Sequence, residues 1–206
     1  MTSTAGTLAG PAPDRRVSAP LLWKLRNFRH WWPGAWRVAL ALTVARFTHL
    51  PVIYGRLRIE VRRASGEIVD YGVVSYRVVT TTGAGFIVDA FQNLVELENM
   101  KFHGFGTGGG AEAVGNTALT TELTTEYATD NVRPTGTQTE NGATVYETVG
   151  VLDPDSAVAI TEHGILSQAA VGGGVLLDRT LFSVINLAAA GDTLTATYDF
   201  TVVAGS

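Results

Sequence analysis

Glu162, Asp178 and Arg179 are the residues of this chain whose types and spacing come nearest to a chemical site. They lie in residues 158–182, where two apolar runs, 158–167 and 175–182, flank Gly172, Gly173 and Gly174. A β-branched run, a glycine-rich turn and a second apolar run predict a β-hairpin. Pairing its two strands sets a carboxylate beside a guanidinium among apolar neighbours. The chemistry this offers is an ion pair that fixes the hairpin, with Glu162, Asp178 and Arg179 in a structural role and no catalytic group among them.

Other motifs are weaker. Residues 104–109 match the glycine pattern of a dinucleotide-binding turn. That motif needs a strand before it and a helix after it. Here Gly110 and Gly115 interrupt any helix and no phosphate-loop lysine follows. A tightly turning loop is the expectation. His30, His49, His103 and His163 have no paired spacing, so a zinc site would need ligands from distant loops. Asp153 and Asp155 flank a proline and could hold calcium, but proline turns commonly read this way. No GxSxG elbow occurs, and nothing marks two carboxylates as a glycosidase-like pair. The expectation is no catalytic residue, no cofactor and no metal.

The 206 residues are enough to bury a real core. There is no cysteine, which removes disulfides, thiolate metal sites and a cysteine nucleophile. Charge is segregated. Residues 1–63 carry eleven of the fifteen Lys and Arg residues against only Asp14 and Glu60. The rest of the chain carries Arg77, Lys101, Arg133 and Arg179 against all the other carboxylates. A basic front and an acidic body point to contact between unlike surfaces, the front of one copy on the body of another. Nucleic acid is the rival partner for the front, and none is expected.

Along the chain, residues 1–20 read as a flexible tail, small, polar and dotted with proline. Residues 21–50 form a basic, aromatic-rich arm, extended or helical, in which Pro33-Gly34 is expected to break the segment in two. Its apolar run, residues 38–45, falls far short of the ~20 residues that cross a bilayer. The arm could lie on a membrane surface, anchor in a neighbouring subunit, pack on its own domain, or be upstream sequence included by a misplaced start. Trp31, Trp32 and Trp36 are the expected contact anchors.

From Val52 apolar and charged residues alternate, with Leu57, Ile59 and Val61 on one face, as in a half-buried antiparallel strand. A strand or two follows over residues 68–79. One short α-helix is expected from Thr82, capped by Thr81 or Thr82, with Phe86, Ile87, Ala90, Phe91 and Leu94 inward. Residues 115–130 read as a long surface connection with a short helix. Further strands are expected over residues 100–105, 132–139, 144–151, 158–167, 175–182 and 193–203. The result is a mainly all-β chain whose residues 51–206 fold as an antiparallel β-sandwich of jelly-roll-like kind.

The ordered set of residues 78–91, 103–108, 116–122, 161–166 and 176–182 resembles small structural proteins of tailed bacteriophages, the tail, tail-fibre and head-decoration components. In those a glycine-threonine-glycine stretch leads to a D/N-T-A-L…E element and then a hairpin. Here Gly115-Asn116 stands where aspartate is usual, and the tryptophan-rich front has no counterpart. The resemblance implies a non-enzymatic β-sandwich located in the virion and assembled in the host cytoplasm. Its partners would be other virion proteins and copies of itself, a trimer or ring included. The rival readings are a receptor- or carbohydrate-binding module of a tail fibre, an envelope-degrading hydrolase, and a membrane-associated host protein using residues 21–50.

Overall fold

The computed structural model describes residues 14–77, 79–188 and 191–205. Residues 1–13 of the expected tail lie outside the described residues. In chain order the elements are β1 (Arg15–Ser18), α1 (Leu21–Thr48), β2 (Val52–Arg62), β3 (Glu67–Arg77) and α2 (Thr81–Phe91). A single 3-10 turn at Leu97–Asn99 precedes β4 (Phe102–Gly106). The chain ends in β5 (Thr137–Glu140), β6 (Val145–Leu152), β7 (Val158–Leu166), β8 (Leu176–Leu187) and β9 (Thr193–Val203).

The strands form a six-stranded sheet, β1-β3-β2-β9-β6-β5, and a three-stranded sheet, β4-β7-β8. β2 and β9 pair along their whole lengths, from Val52 opposite Val203 to Arg62 opposite Thr193. The alternation in β2 sends Leu57, Ile59 and Val61 inward. There they join Val69 of β3, Leu152 of β6 and Leu194 of β9. Phe105 of β4, Ile160 of β7 and Phe182, Ile185 and Leu187 of β8 meet them from the other sheet. One apolar core shared by two layers makes this a β-sandwich, each fully buried aliphatic contributing about 1.5–3 kcal/mol.

The N-terminal third departs from expectation. Arg15–Ser18, expected in a tail, pairs parallel with Glu67–Asp70 of β3 and is a strand. Of the two α-helices described, α2 is the short one expected and α1 is the arm in its helical form. Leu21–Thr48 is a single 28-residue helix that runs through Pro33. Pro33 is exposed, and Gly34 beside it packs so closely on β3 that a Cβ would collide with the Tyr76 carbonyl. Packing against the sheet holds both halves in line, which the proline alone would not.

Asn27 explains where α1 sits. Its Nδ2 donates to Val74 O of β3 at 2.9 Å, and its Oδ1 accepts from Ser183 N of β8 at 2.8 Å. Trp23 Nε1 donates to Val184 O at 2.9 Å. β1 pairs only with the first half of β3, so the second half of β3 and the part of β8 around Ser183 and Val184 would otherwise be open edges. α1 covers both and closes one side of the sandwich.

α2 begins one or two residues earlier than expected. Thr80 is its N-cap, the hydroxyl accepting from Gly83 N at 2.9 Å. Phe86 is buried and Ile87 half-buried, but Phe91 and Leu94, expected inward, are exposed. The short helix turns one edge to β8, so Phe91 at its end and Leu94 beyond it have no layer to pack on.

Replacing Asn27 by Leu removes both partners at once. The expected loss is roughly 1–3 kcal/mol for each backbone group left unpaired. Urea denaturation checks this, with Lys24→Ala on the exposed side of the helix expected within about 0.5 kcal/mol of wild type.

Candidate functional site

The hairpin predicted from residues 158–182 is β7 and β8, with Gly164 opposite Arg179 and Ile165 opposite Asp178. Glu162 and Arg179 meet: Arg179 Nε donates to Glu162 Oε2 at 2.7 Å, both side chains fully buried. Asp178 does not join them. Neighbouring strand residues face opposite sides of a sheet. Asp178 therefore turns into the sandwich and pairs with Arg77 of β3 at 2.7 Å.

Glu162 and Arg179 hold the chain that covers the outer face of the small sheet. Glu162 accepts from the backbone N–H groups of Gly108 (3.1 Å), Thr120 (3.1 Å) and Thr121 (2.7 Å). Arg179 Nη2 donates to Gly110 O at 2.9 Å and Nη1 to Ala111 O at 3.3 Å. Glu112 from the same stretch accepts from Thr180 Oγ1 at 3.0 Å. This replaces the expected surface connection with a short helix. Residues 115–130 contain no helix, because these buried charges satisfy backbone groups that a helix would pair internally. The glycine-rich stretch beginning in β4 is part of this cover and leads into no helix.

A third buried pair was not foreseen. Arg133 lies against Glu122, its Nη2 donating to Oε2 at 2.9 Å, and its Nη1 donates to Gln168 O and Gly173 O. The glycine loop of the hairpin is thereby tied down. A signal for all three pairs was present: Arg77, Arg133 and Arg179 are three of only four cations beyond residue 63. Such rare charges in apolar strands are placed by partners, not by solvent.

Behind Asp178 runs a polar chain inside the sandwich. Arg77 Nη1 lies 3.1 Å from His163 Nδ1, His163 Nε2 3.0 Å from His103 Nδ1, and His103 Nε2 3.2 Å from Thr148 Oγ1. An arginine can only donate, so His163 accepts at Nδ1 and donates from Nε2. The same logic makes His103 accept at Nδ1 and donate to Thr148. Both imidazoles are neutral. Burial, with the Arg77 charge adding to it, pushes His103 down to about 3 and His163 well below the usual histidine range. Burial pushes the Asp178 carboxyl up, against the pull of Arg77. His103 lies flat on Gly150, where a Cβ would collide with the ring. The two histidines, which had no spacing relation in sequence, are brought together by the pairing of β4 with β7.

Among the described residues no three His, Asp or Glu side chains gather as metal ligands, Asp153 and Asp155 included. No helix among them is long and apolar enough to cross a membrane.

The outer face of α1 is a different kind of feature. Leu21, Leu25, Phe28, Trp32, Trp36, Leu40, Val44 and Phe47 recur every three or four residues and are all exposed. Trp32 and Trp36, two expected anchors, lie on this stripe at 48% and 58% exposure, Trp36 stacking against Trp32. Trp31 is only half-buried and lies off the stripe, near Tyr76 of β3. Eight large exposed apolar residues in one continuous stripe differ from the scattered single hydrophobics of an ordinary surface, and such contiguous patches mark interaction sites.

Comparison of the sequence with protein-family models and with curated proteins gives no match.

Two outcomes follow for the buried charges. Arg179→Ala leaves Glu162 without its counter-ion and should cost about 3–5 kcal/mol. The amides of Gly108, Thr120 and Thr121 should then exchange hydrogen faster than the rest of the sandwich. The histidines set an acid limb. Their folded pKa values are depressed, so their contribution is complete above the unfolded value of 6.5 and declines as pH falls below it, for His103 down to about 3. The slope is about 1.4 kcal/mol per pH unit for each histidine kept neutral. Asp178, raised from 3.8, acts with the opposite sign above that value. Chemical denaturation from pH 7 to 4.5 should show wild-type stability falling more steeply than that of His103→Gln.

Proposed function

We propose that this chain is a non-enzymatic structural module of a bacteriophage virion, tail-associated or head-decorating, that works by packing against copies of itself and against neighbouring virion proteins. The observation that carries the reading is the uncovered apolar face of α1. The helix is already anchored through its inner face by Asn27 and Trp23, so its outer residues are not needed for the fold of one copy. A contiguous apolar stripe along the whole length of a 28-residue helix is the kind of surface a stable interface covers. Aromatic anchors in the middle of the stripe are the residue types that dominate binding energy at interfaces.

The sequence likeness to phage tail and decoration proteins supports the same class. So does a body built as two packed sheets, which in this reading is a variation on the jelly-roll sandwiches of viral shells. The mechanism is mechanical: the core and the buried pairs keep each copy rigid, while α1 supplies adhesion.

Sedimentation velocity of the full chain tests this. Wild type should form a defined multimer at micromolar concentration. Trp32→Ser/Trp36→Ser should shift the equilibrium toward monomer by at least roughly 30-fold, the equivalent of one interface hot spot, with an unchanged melting temperature. A wild-type chain that stays monomeric at all attainable concentrations would count against self-packing.

A further inference from the structure

Resting on that reading, we propose which surface receives α1: the α2 and 3-10 region of a second copy. A second uncovered apolar patch lies there, formed by Val88 and Phe91 of α2 with Leu94 and Leu97 just beyond it. Phe91 is 86% exposed. Asp89, Glu96 and Glu98 border the patch, and none of them takes part in a salt bridge among the described residues.

The charges of α1 complement it. Residues 21–48 hold Lys24, Arg26, Arg29, Arg37 and Arg46 and no carboxylate. None of the five pairs with a carboxylate among the described residues. Most arginines of the neighbouring segments behave differently: Arg16, Arg56, Arg58, Arg62 and Arg63 are each paired within the chain, Arg15 being the exception. The acidic side has few cations of its own to compete. Arg77, Arg133 and Arg179 are sequestered in the interior, which leaves Lys101 as the one cation between residue 64 and the C-terminus outside those buried pairs. Five unpaired cations thus sit on one apolar helix, and three unpaired carboxylates border another apolar patch.

The partner must be another copy. Within one chain α1 and α2 stand side by side, with Arg37, Val38 and Ala41 on one flank of a groove and Ala84, Ile87 and Val88 on the other. Asn27 holds the inner face of α1 on β3 and β8, so the outer stripe cannot turn onto its own α2. Pairing α1 with α1 would set five cations against five. α1 on a second copy's α2 brings five cations to three carboxylates and covers both apolar patches. The two faces are unlike, so the contact can repeat from copy to copy into a ring or a filament.

Charge reversal tests the assignment. Arg26→Glu/Arg29→Glu/Arg37→Glu alters the α1 face, and Asp89→Lys/Glu96→Lys/Glu98→Lys the α2 face. Each variant alone should lose at least tenfold in self-association by sedimentation velocity at low salt. Mixed one to one, they should associate with each other, and 0.5 M NaCl should weaken that mixed complex. All substituted side chains are solvent-facing or partly so, and circular dichroism melts confirm folding; Phe91→Ser/Leu94→Ser gives a charge-neutral check that should also lose association. If the α1 variant dissociates while both α2 variants assemble as wild type, the assignment of the partner surface falls and the packing role stands. If wild type does not self-associate but binds phosphatidylserine vesicles through α1, both fall.

Discussion

Two adjacent residues of β8 organise the interior by facing opposite ways. Asp178 reaches Arg77 across the sandwich, and Arg179 reaches Glu162 beneath the covering chain. Taking such ions out of water costs several kcal/mol each, which attraction offsets only when every remaining polar atom is well used. Glu162 meets that condition by accepting three backbone N–H groups besides its arginine. The cover over the small sheet can then adopt only conformations that bring those amides to that carboxylate. The pair thus contributes position more than net stability.

The same division runs through the space between the sheets. One part is filled with Leu57, Ile59, Phe105, Ile185 and their neighbours, closely packed and insensitive to pH. The other holds Arg77, Asp178, His163, His103 and Thr148 in a directed chain of hydrogen bonds. The two meet where Phe105 sets its edge against the His163 ring at 5.0 Å. A dry chain of this kind requires both imidazoles neutral, because a proton on either would stand beside the fixed charge of Arg77.

α1 connects this interior to the outside. Its inner face replaces a missing strand along β3 and β8, satisfying edge groups through Asn27 and Trp23. Its outer face is left apolar and basic, a combination that a helix serving only as an edge cover would not need. Three arginines are buried in the body. Each takes one carboxylate inside with it, so the pairs are neutral and the net charge of the surface is unchanged.

Period-two alternation, turn residues and composition were enough to determine that this chain is mainly β, that β9 spans Thr193–Val203, and that β7 and β8 form a hairpin. These are local properties, written in residues within a few positions of one another. The approach of Glu162 to Arg179 was legible for the same reason, since hairpin pairing follows from the turn. Which carboxylate takes Arg77, where Asn27 lands and how His103 meets His163 depended on partners 47 to 156 residues away. Only the tertiary structure could decide them, because no short-range pattern encodes the face a distant strand presents. The continuity of α1 through Pro33 belongs to the same class: a local breaker was overridden by close packing of Gly34 on β3.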